Sequence, residues 1–281
     1  MTTAATPSNR IVSRVPEQAF NSLGVAMLLT AAGAFLDAFS YFGHGRVFAN
    51  VMTGNLVLSA VSFVHGDWTR VARLLLPVAS FLAGASTGAM LRSSAQRRMI
   101  TNPQAVALTI EIAILAGIGS LPAGFSSAAI VSGISFLIAV RSCFFSHVEA
   151  WTYASTMPTG NLRQFGEAVV QSLSGNPKSK RQATVFALVT LSFFVGALAG
   201  GVATDILHNR AIWIGALFLL AALVCGLVDK PFPVSNVASS VCVIGILALF
   251  PGASARAQSL QDAAPACPSA STILPVTTYD E

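Results

Sequence analysis

The sequence predicts an all-α polytopic membrane protein, with six transmembrane helices and two broken or re-entrant segments arranged as an internal repeat. Two observations lead to this class: long apolar runs with very few charged residues, and a short polar motif that occurs twice. Hydrophobic residues make up 54% of the 281 residues and charged residues only 10%, against about 25% charged residues in ordinary soluble domains. The exposed surface must therefore face lipid, and the lipid bilayer is the expected partner. We expect no nucleic-acid partner, because the net charge of +5 is better explained by membrane topology.

Six apolar runs are long enough for a helix to cross about 30 Å of hydrocarbon. They are Phe20–Phe42, Leu74–Leu91, Gln104–Leu121, Ser127–Phe145, Thr184–Ile206 and Ala211–Val228. Two further segments, Val47–Val64 and His147–Leu173, are less suited to a simple span, and the second carries several charged and polar residues. We expect these two segments to break or to enter and return, because irregular backbone at membrane depth needs cover from protein or water.

Two matched signatures predict an internal duplication. Thr-Gly-Asn-Leu begins at Thr53 and again at Thr159, 106 residues later, and Phe-x-x-Gly-Ala-x-x-Gly follows each copy in the next span. The same order in both copies is the mark of a repeat, and the glycine spacing is typical of helices that pack closely in lipid. The predicted organisation is an N-terminal tail at 1–19, repeat halves at 20–122 and 123–230, and a C-terminal tail at 231–281.

The orientation of the halves depends on whether the motif segments cross the membrane. If neither crosses, each half has three spans and the second half is inverted, with nine basic residues on the cytoplasmic side and four outside. If both segments cross, the halves are parallel, and the count becomes eight basic residues on the cytoplasmic side and five outside. The positive-inside rule therefore favours the inverted arrangement by a small margin, with the N-terminus in the cytoplasm.

In the C-terminal tail, the apolar run Val237–Phe250 is short for a span, and we expect an interfacial helix followed by a poorly ordered end. A processed or fused segment is the alternative.

Ionisable side chains inside predicted spans are the first candidates for function, because an unpaired charge in hydrocarbon is costly. Asp37 lies deep in the first span and Glu111 lies in the run Gln104–Leu121. Arg141 stands near the end of the run before the second motif, and we predict that it pairs with Asp37. A pair of this kind would either lock the two halves together or take part in proton or ion coupling.

The two motifs supply the remaining candidates, which are Thr53, Asn55, Thr159 and Asn161. The glycine inside each motif permits a turn, and the asparagine amide can satisfy freed backbone groups or face a solute. We detect no ligand set with metal spacing, no catalytic triad and no phosphate-binding loop. We therefore expect no metal, no cofactor and no enzymatic activity.

The stretch from Phe35 to Tyr41, followed by Val47 to Asn55, resembles the YoaK family of bacterial membrane proteins, and the second motif at Thr159–Leu162 is similar to that family too. The resemblance covers about Phe20–Lys230. It implies a multi-pass protein of the bacterial inner membrane. It implies no substrate and no functional residues.

The repeated motifs favour a translocator of a small solute or ion, since transport folds with internal repeats place broken helices around a midplane site. In this hypothesis Thr53, Asn55, Thr159 and Asn161 line a central site, with Asp37 near it. The alternative is a membrane scaffold or assembly partner, in which the same groups only pack helices. Homo-oligomer formation stays open in both cases.

Overall fold

The computed structural model describes residues 17–96, 102–122, 124–156 and 158–228, and this part of the chain is mainly helical. The helices, in chain order, are α1 (Glu17–Phe20), α2 (Leu23–Gly43), α3 (Met52–Val64), α4 (Trp68–Gln96), α5 (Pro103–Gly119), α6 (Ser127–Ser142), α7 (Pro158–Leu173), α8 (Pro177–Leu207) and α9 (Ile212–Leu227). A short antiparallel hairpin, β1 (His147–Val148) with β2 (Trp151–Thr152), precedes α7. The predicted C-terminal tail at 231–281 lies outside the described residues.

Three helical stretches are long and apolar enough to cross a membrane: Leu23–Gly43, Trp68–Ser94 and Pro177–Leu227. The third joins α8, a 3-10 turn at His208–Ala211 and α9. Together these stretches cover four of the six expected spans, and shorter apolar helices, α5 and α6, correspond to the other two. The composition and these helices identify the chain as an all-α membrane protein.

Helix α2 forms the centre of the bundle, and nearly all of its residues are buried. Ser22 caps its start by accepting a hydrogen bond from the Val25 N–H at 3.4 Å, which satisfies a donor that a helix N-terminus leaves free. The helix ends at Gly43, and the chain then turns through Gly45 and Arg46, both with positive φ. Helices α6, α8 and α9 pack around α2.

Glycines set the close helix contacts of the bundle. A Cβ atom at Gly196 of α8 would lie 2.3 Å from the Ala31 carbonyl oxygen of α2. In the first half of the chain, a Cβ atom at Gly84 of α4 would lie 2.3 Å from the Phe136 carbonyl oxygen of α6. Both distances are too short for any side chain, so the backbones touch directly. The prediction that these glycines pack helices is confirmed.

The segment between α2 and α4 leaves one end of the bundle and comes back to it. We call this the distal end, where α2 terminates. Here His44 lies 3.2 Å from the Ser127 hydroxyl at the start of α6, and Arg73, near the start of α4, lines the same small cavity as His44. Between these points the chain reaches inward as far as Asn50, whose side chain lies beside Gly33, the middle residue of α2.

The segment between α6 and α8 does the same from the opposite end, the proximal end, where α2 begins. The rings of Phe20 and Phe145 lie 6.0 Å apart there. The Glu149 N–H donates to the Asn21 carbonyl at 2.7 Å, and Glu149 also pairs with Arg181, near the start of α8. From this end the chain reaches inward to Ser155, whose carbonyl oxygen also lies beside Gly33. The two segments therefore meet at the middle of α2.

The motif glycines do not form the breaks in these segments. Gly54 lies in the first turn of α3 and Gly160 in the first turn of α7, so the irregular backbone precedes each motif. At Gly54 a Cβ atom would lie 3.1 Å from the Phe48 ring, which packs over the glycine. Nothing lies within 4 Å of the corresponding position at Gly160. The first glycine therefore provides space for an aromatic ring, in place of a turn.

We predict that Gly196→Ala destabilises the bundle while Gly133→Ala does not. The new methyl group at Gly196 would collide with backbone of α2, whereas a Cβ atom at Gly133 of α6 would meet nothing within 4 Å. Overpacking of this kind costs about 1–3 kcal/mol, and alanine at an open helical position is neutral or favourable. Detergent melting curves of both variants check this. Equal melting temperatures for the two would contradict the direct backbone contact.

Candidate functional site

The irregular backbone at Phe48–Val51 is held by side chains. The four N–H groups of this stretch each find an acceptor: the first donates to Asn55 at 2.9 Å, the second to the Ser40 hydroxyl at 3.0 Å, and the last two to one Asp37 oxygen at 2.7 and 3.2 Å. Backbone donors inside an apolar bundle need such partners, because water cannot supply them there. Asp37 and Ser40 project from α2, so α2 fixes the path of this segment.

The two motif asparagines make the same contacts in their own segments. The Asn55 amide accepts from the Phe48 N–H at 2.9 Å and donates to the Phe48 carbonyl at 2.7 Å. The Asn161 amide accepts from the Ala154 N–H at 3.4 Å and donates to the Ala154 carbonyl at 2.9 Å. In both cases the partner stands seven residues earlier. Each amide therefore satisfies freed backbone groups, which was one of its two expected roles.

A buried ion pair joins α5 to α6. Arg141 Nη1 donates to Glu111 Oε1 at 2.8 Å, and the two side chains are 1% and 2% exposed. The predicted pairing of Arg141 with Asp37 is wrong. Asp37 binds the N–H groups of Asn50 and Val51, and α5, which packs beside α6, presents Glu111 to the guanidinium group.

Five buried polar residues gather where the two segments meet, and we call them the central polar cluster: Asp37, Asn50, Glu111, Arg141 and Ser155. A Cβ atom on Gly33 would lie 3.4 Å from the Asn50 amide nitrogen, 3.6 Å from the Ser155 carbonyl oxygen and 3.7 Å from Arg141 Nη2. Groups from α6 and from both inward segments thus converge on one point of α2. Asp37 joins the cluster through the backbone of Asn50, and Glu111 joins it through Arg141.

Several polar atoms of this cluster have no hydrogen-bond partner among the described residues. They are Asp37 Oδ2, both amide atoms of Asn50, Glu111 Oε2, Arg141 Nε and Nη2, and Ser155 Oγ, of which the Asn50 amide lies near the Asp37 carboxylate and the Ser155 hydroxyl near Tyr153. A buried polar group left without a partner costs about 1–3 kcal/mol. A protein that retains several such groups in one place has a chemical use for them or fills them with a ligand or water.

The other predicted site residues lie elsewhere. Thr53 and Thr159 are exposed on α3 and α7, so neither has the burial that a central site requires. Sequence reasoning also missed Asn50 and Ser155. The 106-residue offset that matches Asn55 with Asn161 pairs Asn50 with Thr156, so the Asn50 amide has no repeated counterpart that would single it out. Ser155 contributes a carbonyl group beside Gly33, which no residue pattern reveals.

A cleft of about 450 Å³ opens at the distal end, away from the central polar cluster. It is lined by the end of α2, the α5–α6 connection and the end of α8, with His44, Asp205 and His208 among its polar residues. Burial lowers the pKa of His44 below the ordinary value of a histidine. Among the residues that the structure describes, no group of three or more His, Cys, Asp or Glu side chains could hold a metal ion.

We predict that Glu111→Ala strongly destabilises the protein. The substitution leaves the buried Arg141 charge without its partner, which typically costs about 3–5 kcal/mol. Glu167→Ala is the matched control, because Glu167 pairs with Arg163 on an exposed helix face, where such pairs contribute about 0.3–0.5 kcal/mol. Detergent melting curves compare the two. A loss at Glu111 as small as that at Glu167 would contradict the buried pair.

Comparison with known proteins gives a family but no activity. Residues 25–225 match the family described as "Protein of unknown function (DUF1275)". No curated protein matches the chain, and no solved structure matches it. The resemblance to the YoaK family, which is of this type, is confirmed. Because the match extends over most of the chain, this protein belongs to the DUF1275 family of proteins of unknown function.

Proposed function

We propose that the protein translocates a small polar solute or ion across the bacterial inner membrane, and that the solute passes through the central polar cluster. The observation that carries this proposal is the set of buried, unpartnered polar atoms at the meeting point of the two inward segments. Midplane sites between irregular segments are typical of transporters with internal repeats. A solute bound there would supply the partners that these atoms lack.

The proposal includes an inverted repeat with six spans and two re-entrant segments. The contacts of the bundle support it. Residues 44–67 begin and end at the distal end, whereas residues 143–176 begin and end at the proximal end. With three spans in each half, the second half enters from the opposite side. Each re-entrant segment then reaches the middle of the membrane from its own side, with Gly33 at the meeting point.

The charges of the two ends support an orientation. Basic residues at the proximal end include Arg92, which reaches the Cys143 carbonyl, and the group Lys178, Lys180 and Arg181 at the start of α8. The distal end carries Arg46, Arg70, Arg73 and Arg210. The described residues therefore give four basic side chains at each end. Five further basic residues, which lie outside the described residues, follow or precede the proximal helix ends in the sequence and raise the sequence count to nine against four: Arg10, Arg14, Arg97, Arg98 and Lys230. The positive-inside rule then assigns the proximal end and the N-terminus to the cytoplasm.

A membrane scaffold is the second candidate, and one observation favours it. In Asn55 and Asn161, the amide oxygen and the amide nitrogen both form hydrogen bonds with backbone groups, which is typical of side chains with a structural role. In a scaffold the repeated motif would serve folding alone, and the protein would act through its exposed apolar faces or as a homo-oligomer. In neither candidate does the protein act as an enzyme. Uptake measurements on purified protein separate the two.

We predict that residues 67 and 174 are reached from opposite sides of the membrane. Asp67→Cys lies at the distal end and Ser174→Cys in the α7–α8 connection at the proximal end, both at exposed positions. In a background with the native cysteines replaced by serine, an impermeant thiol reagent applied to intact spheroplasts should label the first and not the second. Ser120→Cys, in the α5–α6 connection, should label together with Asp67→Cys. Labelling of both test positions from one side would exclude the inverted arrangement.

We predict that Asn55→Ala mainly affects stability, whereas Asn50→Ala mainly affects transport. Asn55→Ala leaves the N–H and the carbonyl of the half-buried Phe48 without partners, at a cost of up to about 1–3 kcal/mol for each group, so it should lower the melting temperature. The Asn50 amide lies near the Asp37 carboxylate but forms no well-shaped hydrogen bond among the described residues, so Asn50→Ala should lower the melting temperature less than Asn55→Ala does, and it should abolish solute uptake.

Melting curves in detergent and uptake into proteoliposomes, measured on the same preparations, check both expectations. If Asn50→Ala melts as early as Asn55→Ala, the central polar cluster is structural. If the folded parent moves none of a panel of small solutes and ions, the scaffold is the better account.

A further inference from the structure

The buried guanidinium group of Arg141 uses only part of its hydrogen-bonding capacity. Nη1 donates a hydrogen bond to Glu111 Oε1 at 2.8 Å. The other two nitrogens, Nε and Nη2, have no partner among the described residues, although the side chain is almost completely buried. Nε and Nη2 present parallel N–H groups along one edge of the planar group. This is the edge that binds two oxygens of a carboxylate or a similar oxyanion.

A third donor points to the same place. A Cβ atom at Gly33 would lie 3.7 Å from Arg141 Nη2 and 3.4 Å from the Asn50 amide nitrogen, which lies near the Asp37 carboxylate. The two donors come from α6 and from the distal inward segment, and they meet against a residue that has no side chain. Their convergence at Gly33 suits a small ligand with at least two acceptor atoms.

The carboxylates of the cluster are directed elsewhere. Glu111 binds the opposite side of the guanidinium group, at Nη1, and balances its charge. One oxygen of Asp37 binds the N–H groups of Asn50 and Val51 at the start of α3, where the helix dipole favours negative charge. Neither carboxylate therefore occupies the Nε/Nη2 edge.

From these contacts we propose that the solute is a small planar oxyanion, of the size of formate, acetate or nitrate. Two of its oxygens bind Nε and Nη2 of Arg141, and the Asn50 amide donates to one of them. This inference rests on the proposed function for its transport step, whereas binding itself is measured separately. Nearby backbone limits the ligand to a few atoms, because the Ser155 carbonyl lies within 4 Å of the same point at Gly33.

Binding is tested on purified full-length protein in detergent. Formate, acetate and nitrate should raise the melting temperature in a saturable manner, since a ligand that binds only the folded state stabilises it. Formamide, which is planar and neutral, should have no effect at the same concentrations. Uptake of radiolabelled formate and acetate into proteoliposomes measures transport in parallel.

Two variants locate the site. Arg141→Lys keeps a positive charge next to Glu111 but loses the two-donor edge, so the oxyanions should bind at least about tenfold more weakly. Its control is Arg163→Lys, at the exposed pair with Glu167. Gly33→Ala places a methyl group at ordinary contact distance from all three neighbours, so it should fold and still block the ligand. Its control is Gly133→Ala, where nothing lies within 4 Å.

The outcomes separate this inference from the proposed function. If none of the three oxyanions binds the folded parent, or if Gly33→Ala binds them as well as Gly133→Ala does, the inference fails. Uptake of a neutral or cationic solute without oxyanion binding would overturn the inference and leave the proposed function intact. Oxyanion binding that both test variants weaken, without uptake by the parent, would support the site and overturn translocation.

Discussion

The architecture depends on how irregular backbone obtains hydrogen-bond partners inside an apolar bundle. The four N–H groups of Phe48–Val51 would each lack a partner if the chain simply left its helix at this depth. Three side chains, Asp37, Ser40 and Asn55, accept all four. Two of these side chains come from α2, so the same helix that forms the core also fixes the inward segment. Because side chains accept these N–H groups, the segment can reach the middle of α2 and bring Asn50 to Gly33.

The second inward segment reaches the same depth with a different set of contacts. Its asparagine, Asn161, repeats the bonds of Asn55, but a hairpin at His147–Thr152 replaces the contacts that Asp37 and Ser40 make in the first segment. Tyr153 then anchors the chain to α2, where its hydroxyl donates to the Ala26 carbonyl at 3.2 Å. The shared contact accounts for the asparagine in both copies of Thr-Gly-Asn-Leu, whereas the residues that hold the rest of each segment differ.

The sequence predicts a structural feature well where one type of residue has a single structural role. The spaced glycines predicted direct helix contacts, and the apolar runs predicted the membrane class, because small residues and lipid exposure each leave a clear pattern. The partner of Arg141 could not be predicted in this way, since sequence spacing does not show which neighbouring helix faces the guanidinium group. Thr53 was misjudged for a related reason: a residue beside a buried asparagine on a helix faces a different direction. Asn50 was missed because its importance comes from position alone.

Similar helix contacts in the two halves surround a cluster that is not symmetric. Gly84 and Gly88 pack on Phe136 and Val140, and Gly196 and Gly200 pack on Ala31 and Phe35, so the contact positions on α6 and α2 differ by 105 residues in both cases. With the same offset of 105 residues, the position in α2 that is equivalent to Arg141 is Leu36. The position in α6 that is equivalent to Asp37 is Ser142. Each ionisable group therefore stands in only one half, although the helices around it follow a common plan. A small solute at Gly33 would meet the guanidinium edge on one side only. An asymmetric site of this kind binds a ligand in one orientation, whereas a symmetric one would offer two equivalent orientations.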